Sequence, residues 1–89
     1  MTVRDVFKIF EYFSPYIKPL TLNVEYSYNE GCSISSAQVA TIESLNLFLS
    51  THNARMLRGK EPIANITYTN SNEILFWITD NLALVLSID

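Results

Sequence analysis

Hydrophobic side chains occupy both alternating faces of the last two strands that the sequence predicts, 74–79 and 82–88. One face carries Ile74, Phe76, Ile78, Leu82, Leu84, Leu86 and Ile88. The opposite face carries Leu75, Trp77, Ala83 and Val85. A strand with one face in water alternates apolar with polar residues, whereas a strand covered on both faces does not. The pattern predicts a hairpin around an Asp80-Asn81 turn, with its second face covered by a helix of this chain or by another chain.

A helix is predicted at the start of the chain. Thr2 followed three residues later by Asp5 resembles a capping box. Apolar residues then recur at helical spacing: Val3, Val6, Phe7, Phe10, Phe13 and Ile17. Three more widen this stripe: Ile9, Tyr12 and Tyr16. Pro15 should end the helix, because proline lacks the backbone donor and disfavours a helical residue before it. A stripe this wide predicts a helix that is covered on more than one side or that presents aromatic side chains to a partner.

The middle of the chain predicts a strand followed by a second helix. Residues 22–28 alternate apolar with polar side chains, and the turn residues 29–31 follow. Ser35 with Gln38 has the spacing of a capping box and predicts the start of the helix. Its apolar positions continue to Met56, and it is expected to end near Gly59. Weak helix formers at 51–53 also allow a break there.

A third strand is predicted at 63–69, separated from the last hairpin by turn residues 70–72. The resulting order is α-β-α-β-β-β, in a single domain of residues 1–89. We therefore expect an α+β fold in which both helices pack on one face of a four-stranded mixed sheet. The first two strands should be parallel if they are adjacent, because a helix joins them. The last three strands should form an antiparallel meander.

The composition excludes a disordered chain and sets limits on the environment. Apolar residues make up 48% of the chain and charged residues 17%, with a net charge of −3. The single cysteine, Cys32, rules out an internal disulfide and fits a reducing compartment. Lys8 and Glu11 interrupt any N-terminal signal segment, and no apolar run approaches the length of a membrane span. We expect a cytoplasmic protein.

The chemistry-bearing residues predict neither catalysis nor a bound cofactor or metal. His52 and Cys32 are single residues without further ligands at metal-binding spacing. Cys32 as a nucleophile with His52 as its base requires a juxtaposition that no spacing indicates. The carboxylates are scattered, and the two glycines, Gly31 and Gly59, form no phosphate-binding loop.

Arg55, Arg58 and Lys60 form the basic cluster of the chain. At a helix end, such residues complement the helix dipole and keep the surface soluble. Alternatively, Arg55 and Arg58 contact an acidic partner surface or a phosphate backbone.

Leu75, Trp77, Ala83 and Val85 are the sharper candidates for partner contacts. They share a face if the helices cover the face of Phe76, and an exposed patch with a tryptophan is typical of a binding surface. The alternative is that one helix packs on each side of the sheet and buries both faces within the monomer.

These observations predict a small non-enzymatic protein that binds another protein through the apolar face of its sheet. An inhibitor, an adaptor or an antagonist fits, including the antagonists of host defence that phages encode. The alternative is an obligate homo-oligomer that serves as a structural or small-ligand-binding subunit. A nucleic-acid-binding regulator that uses the basic cluster is disfavoured by the negative net charge.

Overall fold

Two helices and a five-stranded antiparallel sheet form the protein in the computed structural model. It describes residues 1–29, 32–70 and 72–88, and of Asn70 only the backbone. The elements are α1 (Val3–Phe13), β1 (Leu20–Tyr28), β2 (Ser33–Gln38), α2 (Ile42–Thr51), β3 (Asn65–Asn70), β4 (Glu73–Thr79) and β5 (Leu82–Ile88). The strand order is β2-β1-β5-β4-β3. The predicted α+β class and the C-terminal antiparallel meander are confirmed. The predicted turns at 29–31 and 70–72 include Glu30, Gly31 and Ser71, which lie outside the described residues.

Among the described residues, the sheet differs from the prediction in having a fifth strand and no parallel pair. Residues 33–38, predicted to begin the second helix, form β2 and pair antiparallel with β1. This pairing provides hydrogen-bond partners for the backbone groups of both strands. The short side chains of Ser35 and Ala37 lie on the strand face turned towards the helices, because Ala37 opposes the buried Val24. β2 runs antiparallel to β1 along one of its edges. The other edge of β1 pairs antiparallel with β5.

The second helix is shorter at both ends than predicted. It is capped by Thr41, whose hydroxyl accepts a hydrogen bond from the Ser44 N–H at 3.2 Å, and not by Ser35. It ends at the weak helix formers near His52, and Asn53 has a left-handed backbone with φ of 55°. The expected end near Gly59 is therefore wrong. Residues 52–64 form an irregular connection.

The first helix follows its predicted limits. The capping box at Thr2 is present: the Asp5 carboxylate accepts a hydrogen bond from the Thr2 N–H at 2.8 Å. The helix ends at Phe13, before Pro15. Beyond the cap, the N–H of Val3 donates to the Glu61 carbonyl at 2.9 Å, so the irregular connection holds the start of α1 in place.

The core lies between the helices and one face of the sheet, so the prediction that both helices share a face is confirmed. Both helices contribute buried residues to the same cluster as β1, β4 and β5. Its members include Val3, Val6, Phe7, Leu22, Val24, Leu45, Leu49, Phe76, Ile78 and Leu84. The alternative with one helix on each side of the sheet is wrong. Among the described residues, no helix has the length and apolar character needed to cross a lipid bilayer.

Candidate functional site

The opposite side of the sheet, called the open face below, carries the predicted partner-binding residues Leu75, Trp77, Ala83 and Val85. Strand pairing places Val85 opposite Leu75 and Ala83 opposite Trp77, in the centre of the sheet. They do not belong to the core cluster under the helices. Polar residues surround them: Thr21, Asn23, Glu25, Ser36, Gln38, Asn65, Thr67, Glu73 and Ser87.

These four residues expose little apolar surface, although no helix covers them in the part of the chain that the structure describes. The exposed fractions are 6% for Leu75, 0% for Ala83 and 2% for Val85. Ala83 lies between Glu25 and Trp77 of the adjacent strands. Trp77 is half-buried, and its indole N–H donates to the Thr67 hydroxyl at 2.9 Å. The open face is thus mainly polar, with a small apolar centre and the exposed Ile34 at its β2 edge. Its role in partner binding stays a prediction.

A larger apolar surface lies on the helix side of the sheet, between α1 and the edge strand β3. This α1–β3 groove encloses about 410 Å³. It is lined by Met1, Ile9, Phe13, Ile17, Leu20, Ile66, Tyr68, Asn72, Ile74, Phe76, Leu86 and Ile88. None of these side chains carries a formal charge. The groove is therefore suited to binding an apolar surface.

The groove exists because two helices do not cover five strands. The backbone of α1 runs closest to β1, and His52 at the end of α2 reaches Ser35 of β2, with Nε2 and Oγ 3.0 Å apart. Thus α2 lies towards the β2–β1 side of the sheet, and α1 lies between α2 and the groove. Strands are about 4.8 Å apart and packed helices 8–10 Å apart, so the strip over β4 and β3 is roughly one helix wide.

Several groove residues remain exposed to a degree that is unusual for large apolar side chains. The exposed fraction is 40% for Phe13, Ile66 and Ile88, and it reaches 73% for Tyr68. Tyr12 and Tyr16, at the end of α1 and just beyond it, are also exposed. A contiguous exposed apolar surface of this kind is typical of a ligand or partner site.

Sequence reasoning missed this groove, although one signal pointed towards it. The apolar stripe of the first helix was too wide for one buried face, and Ile9 and Ile17 from that region now form a wall of the groove. The other wall, Ile66 and Tyr68, could not be found from the sequence, since it depends on which strand lies at the edge of the sheet.

Arg55 and Arg58 lie in the irregular connection rather than in the last turn of a helix, so the predicted dipole complementation does not apply. Both line a shallow concavity with Met56, Leu57 and Glu61. The structure does not bring them to the open face. Their backbone is organised by the Glu61 carboxylate, which accepts the Arg58 N–H at 2.9 Å and the Gly59 N–H at 2.8 Å.

These hydrogen bonds make the stability of the fold depend on pH. Burial by itself would raise the pKa of Glu61, but the N–H groups of Arg58, Glu61 and Gly59 together hold it below its ordinary value of 4.5. The backbone N–H of Thr2, followed by its hydroxyl, likewise lowers the pKa of Asp5. A carboxyl group with a lowered folded pKa binds fewer protons in the folded state, so it stabilises the fold above its unfolded pKa. That stabilisation is lost as the pH falls through the folded pKa.

We therefore expect the free energy of unfolding to decrease as the pH is lowered below about 4.5. Urea unfolding at a series of acidic pH values measures this dependence. Glu61→Gln should flatten it, whereas Glu11→Gln, at an exposed position on α1, should leave it unchanged. Equal pH dependence in the wild type and in Glu61→Gln would contradict the role assigned to this carboxylate.

The described contacts of His52 are with aromatic rings and a serine, and none of them is with Cys32. The His52 ring lies among Phe48, Tyr26 and Tyr28, with ring centroids 4.8, 5.7 and 5.2 Å away, and its Nε2 is hydrogen-bonded to Ser35. Cys32 is exposed and lies just before β2. His52 thus serves as a packing residue between α2 and the β1–β2 hairpin. Among the described residues, no three His, Cys, Asp or Glu side chains are grouped so that they could hold a metal ion.

Comparison of the chain with protein-family models, with curated proteins and with solved structures gave no significant match.

Proposed function

We propose that the protein is a non-enzymatic protein-binding module, an inhibitor, adaptor or antagonist, and that the α1–β3 groove is its docking surface. The observation that supports this function is the exposed, uncharged lining of the groove. The side chains of Phe13, Ile66 and Ile88 each leave 40% of their surface exposed to water. Exposed apolar surface of this kind adds no stability to the isolated fold and is typical of a binding site. Burying half of such a side chain contributes about 1 kcal/mol, so several together supply appreciable affinity.

The occupant that fits best is the apolar stripe of an amphipathic helix from the partner protein. The open strip over β4 and β3 is roughly one helix wide, and α1 beside it already shows how a helix packs on this sheet. A docked helix would lie next to α1 and cover Ile66 and Tyr68. The partner helix would then complete the helical layer that two helices leave unfinished.

A second candidate function, binding of a small neutral molecule, is favoured by the size of the groove. A volume of about 410 Å³ falls within the range of small-molecule sites. The lining selects against a charged ligand, because an ionised group placed there would lose its hydration without gaining a partner. Asn72, whose side-chain N–H donates to the Ile88 carbonyl at 3.1 Å, is the polar side chain of the lining besides the Tyr68 hydroxyl.

Isoleucine methyl NMR tests the docking surface with controls built into the chain. Five isoleucines line the groove: Ile9, Ile17, Ile66, Ile74 and Ile88. Four lie elsewhere: Ile34, Ile42, Ile63 and Ile78. Helical peptides selected from a display library of amphipathic helices with varied apolar stripes are titrated into the labelled protein. We expect the five groove methyl signals to shift and the other four to stay in place.

The same spectra separate the possible occupants of the groove. If N-phenyl-1-naphthylamine, a neutral apolar dye, shifts the five signals and no selected helix does, the small-molecule function replaces the protein-binding one. If dilution of the protein alone shifts them, the groove is filled by a second copy of the chain. Selected peptides that shift the other four signals instead would overturn the groove as the docking surface.

A further inference from the structure

The charged residues are divided unequally between the two sides of the sheet. No lysine or arginine lies in any of the five strands. All six lie in α1 or in the connections: Arg4, Lys8, Lys18, Arg55, Arg58 and Lys60. The strands place two carboxylates on the open face, Glu25 and Glu73, and no lysine or arginine. The strand residues of this face therefore carry negative charge only.

The two carboxylates stand at opposite corners of the apolar centre. Glu25 is paired with Ala83, and Glu73 is paired with Ser87, four residues further along β5. The strand rise and spacing put these positions roughly 17 Å apart, with Val85 and its neighbours between them. Glu73 is held in place by the Thr69 hydroxyl, which donates to its carboxylate at 2.7 Å. Two like charges thus flank a small apolar centre.

We infer that the open face binds a partner protein whose surface presents lysine or arginine residues on either side of an apolar contact. An apolar centre with a polar rim is the usual anatomy of a protein interface, and Trp77 is of the residue type that carries binding energy there. Charge complementarity selects the partner, because cations opposite Glu25 and Glu73 steer association and reject acidic surfaces. This surface is separate from the α1–β3 groove and goes beyond the function proposed for it.

A second copy of the chain fits the open face poorly. Two open faces packed against each other would enclose four glutamates, two Glu25 and two Glu73, without a lysine or arginine between them. Like charges brought together in this way oppose association. The same charges reject the phosphate backbone of a nucleic acid. The occupant is therefore a different, basic protein surface.

The test uses a pair of designed β-hairpin peptides and the single tryptophan as a local reporter. Both peptides carry the same apolar residues on one face, flanked in one peptide by lysines and in the other by glutamates. The indole N–H signal of Trp77 reports binding at the open face, while the groove isoleucines report on the other surface. Glu25→Gln/Glu73→Gln removes the two charges of the open face. Glu11→Gln/Glu43→Gln removes two charges from the helix side and serves as the matched control.

We expect the lysine peptide to shift the Trp77 signal with an affinity that weakens as salt is added, and the glutamate peptide to leave it unshifted. The Glu25→Gln/Glu73→Gln variant should bind the lysine peptide about threefold to tenfold more weakly, whereas the helix-side variant should bind it as the wild type does. Equal weakening by both variants, or no shift at Trp77, would overturn the inference. A concentration-dependent dimer with a shifted Trp77 signal in the protein alone would overturn it too, since a second copy would then occupy the face.

Discussion

Replacing Leu84 with alanine is expected to destabilise the protein by about 3–5 kcal/mol. Leu84 is fully buried in the central strand β5, where Val24 of β1 and Phe76 of β4 flank it. Removal of its side chain leaves a cavity beneath both helices, and a strand hydrogen-bonded on each side cannot move to fill it. A small domain has only about 5–15 kcal/mol of total stability, so this single change removes a large share of it.

Urea and thermal unfolding measure this effect, with Leu47→Ala as the matched control. Leu47 lies on α2 with 70% of its surface exposed, so the same substitution there should change stability by less than about 0.5 kcal/mol. In a domain of this size, the Leu84 variant should lose at least about 12 °C in Tm. A loss below about 1.5 kcal/mol would contradict the position of Leu84 at the centre of the core.

The parts of the fold that the sequence predicts well are those where two local signals agree. In α1, the capping box at Thr2, the helical spacing and the stop at Pro15 all point to one element, and the structure confirms it. In the last hairpin, apolar residues occupy both alternating faces of two consecutive segments, and this pattern predicts two paired strands. Which face the helices cover could not be predicted; in the structure the larger side chains, such as Phe76 and Leu84, pack under them.

The prediction failed where local signals conflict and tertiary pairing decides between them. Ser35 and Gln38 have capping-box spacing, yet they lie in β2, because pairing with β1 provides backbone partners for the whole segment. The true cap, Thr41 with Ser44, lacks the glutamate that makes such a box easy to recognise. Once β2 is missed, the strand count and the mixed sheet both follow wrongly. The predicted helix end near Gly59 fails for a separate reason, because the weak helix formers at 51–53 end α2.

The sequence predicted only the part of the candidate site that follows from the alternation of side chains between the two faces of a single strand. Trp77 and Ala83 do share the face opposite the helices, as the alternation requires. How much of each side chain is exposed depends on the flanking strands, which sequence spacing does not reveal. The groove depends on the width of the sheet and on β3 lying at its edge. Those are properties of the assembled sheet rather than of any segment.

Placing a carboxylate in the groove by Ile66→Asp should lower the affinity for an apolar occupant at least about thirtyfold. The substitution removes apolar contact and forces the occupant to desolvate an unpaired charge. Together, these two effects weaken binding by roughly 2 kcal/mol or more. Ile66 already leaves 40% of its surface in water, so the folded state itself should tolerate the change. The dye N-phenyl-1-naphthylamine and any helical peptide that binds the wild type serve as occupants.

The matched control is Ile34→Asp, the same substitution on the opposite edge strand, β2, where Ile34 is 66% exposed and lies on the open face. Both variants add one negative charge and remove one β-branched residue from an edge strand, so they carry the same non-specific cost. Only the Ile66 variant alters the groove. Binding lost in both variants would mean that net charge, not the groove, governs the interaction. Binding retained in both would mean that the exposed apolar wall of β3 is not where the occupant lies.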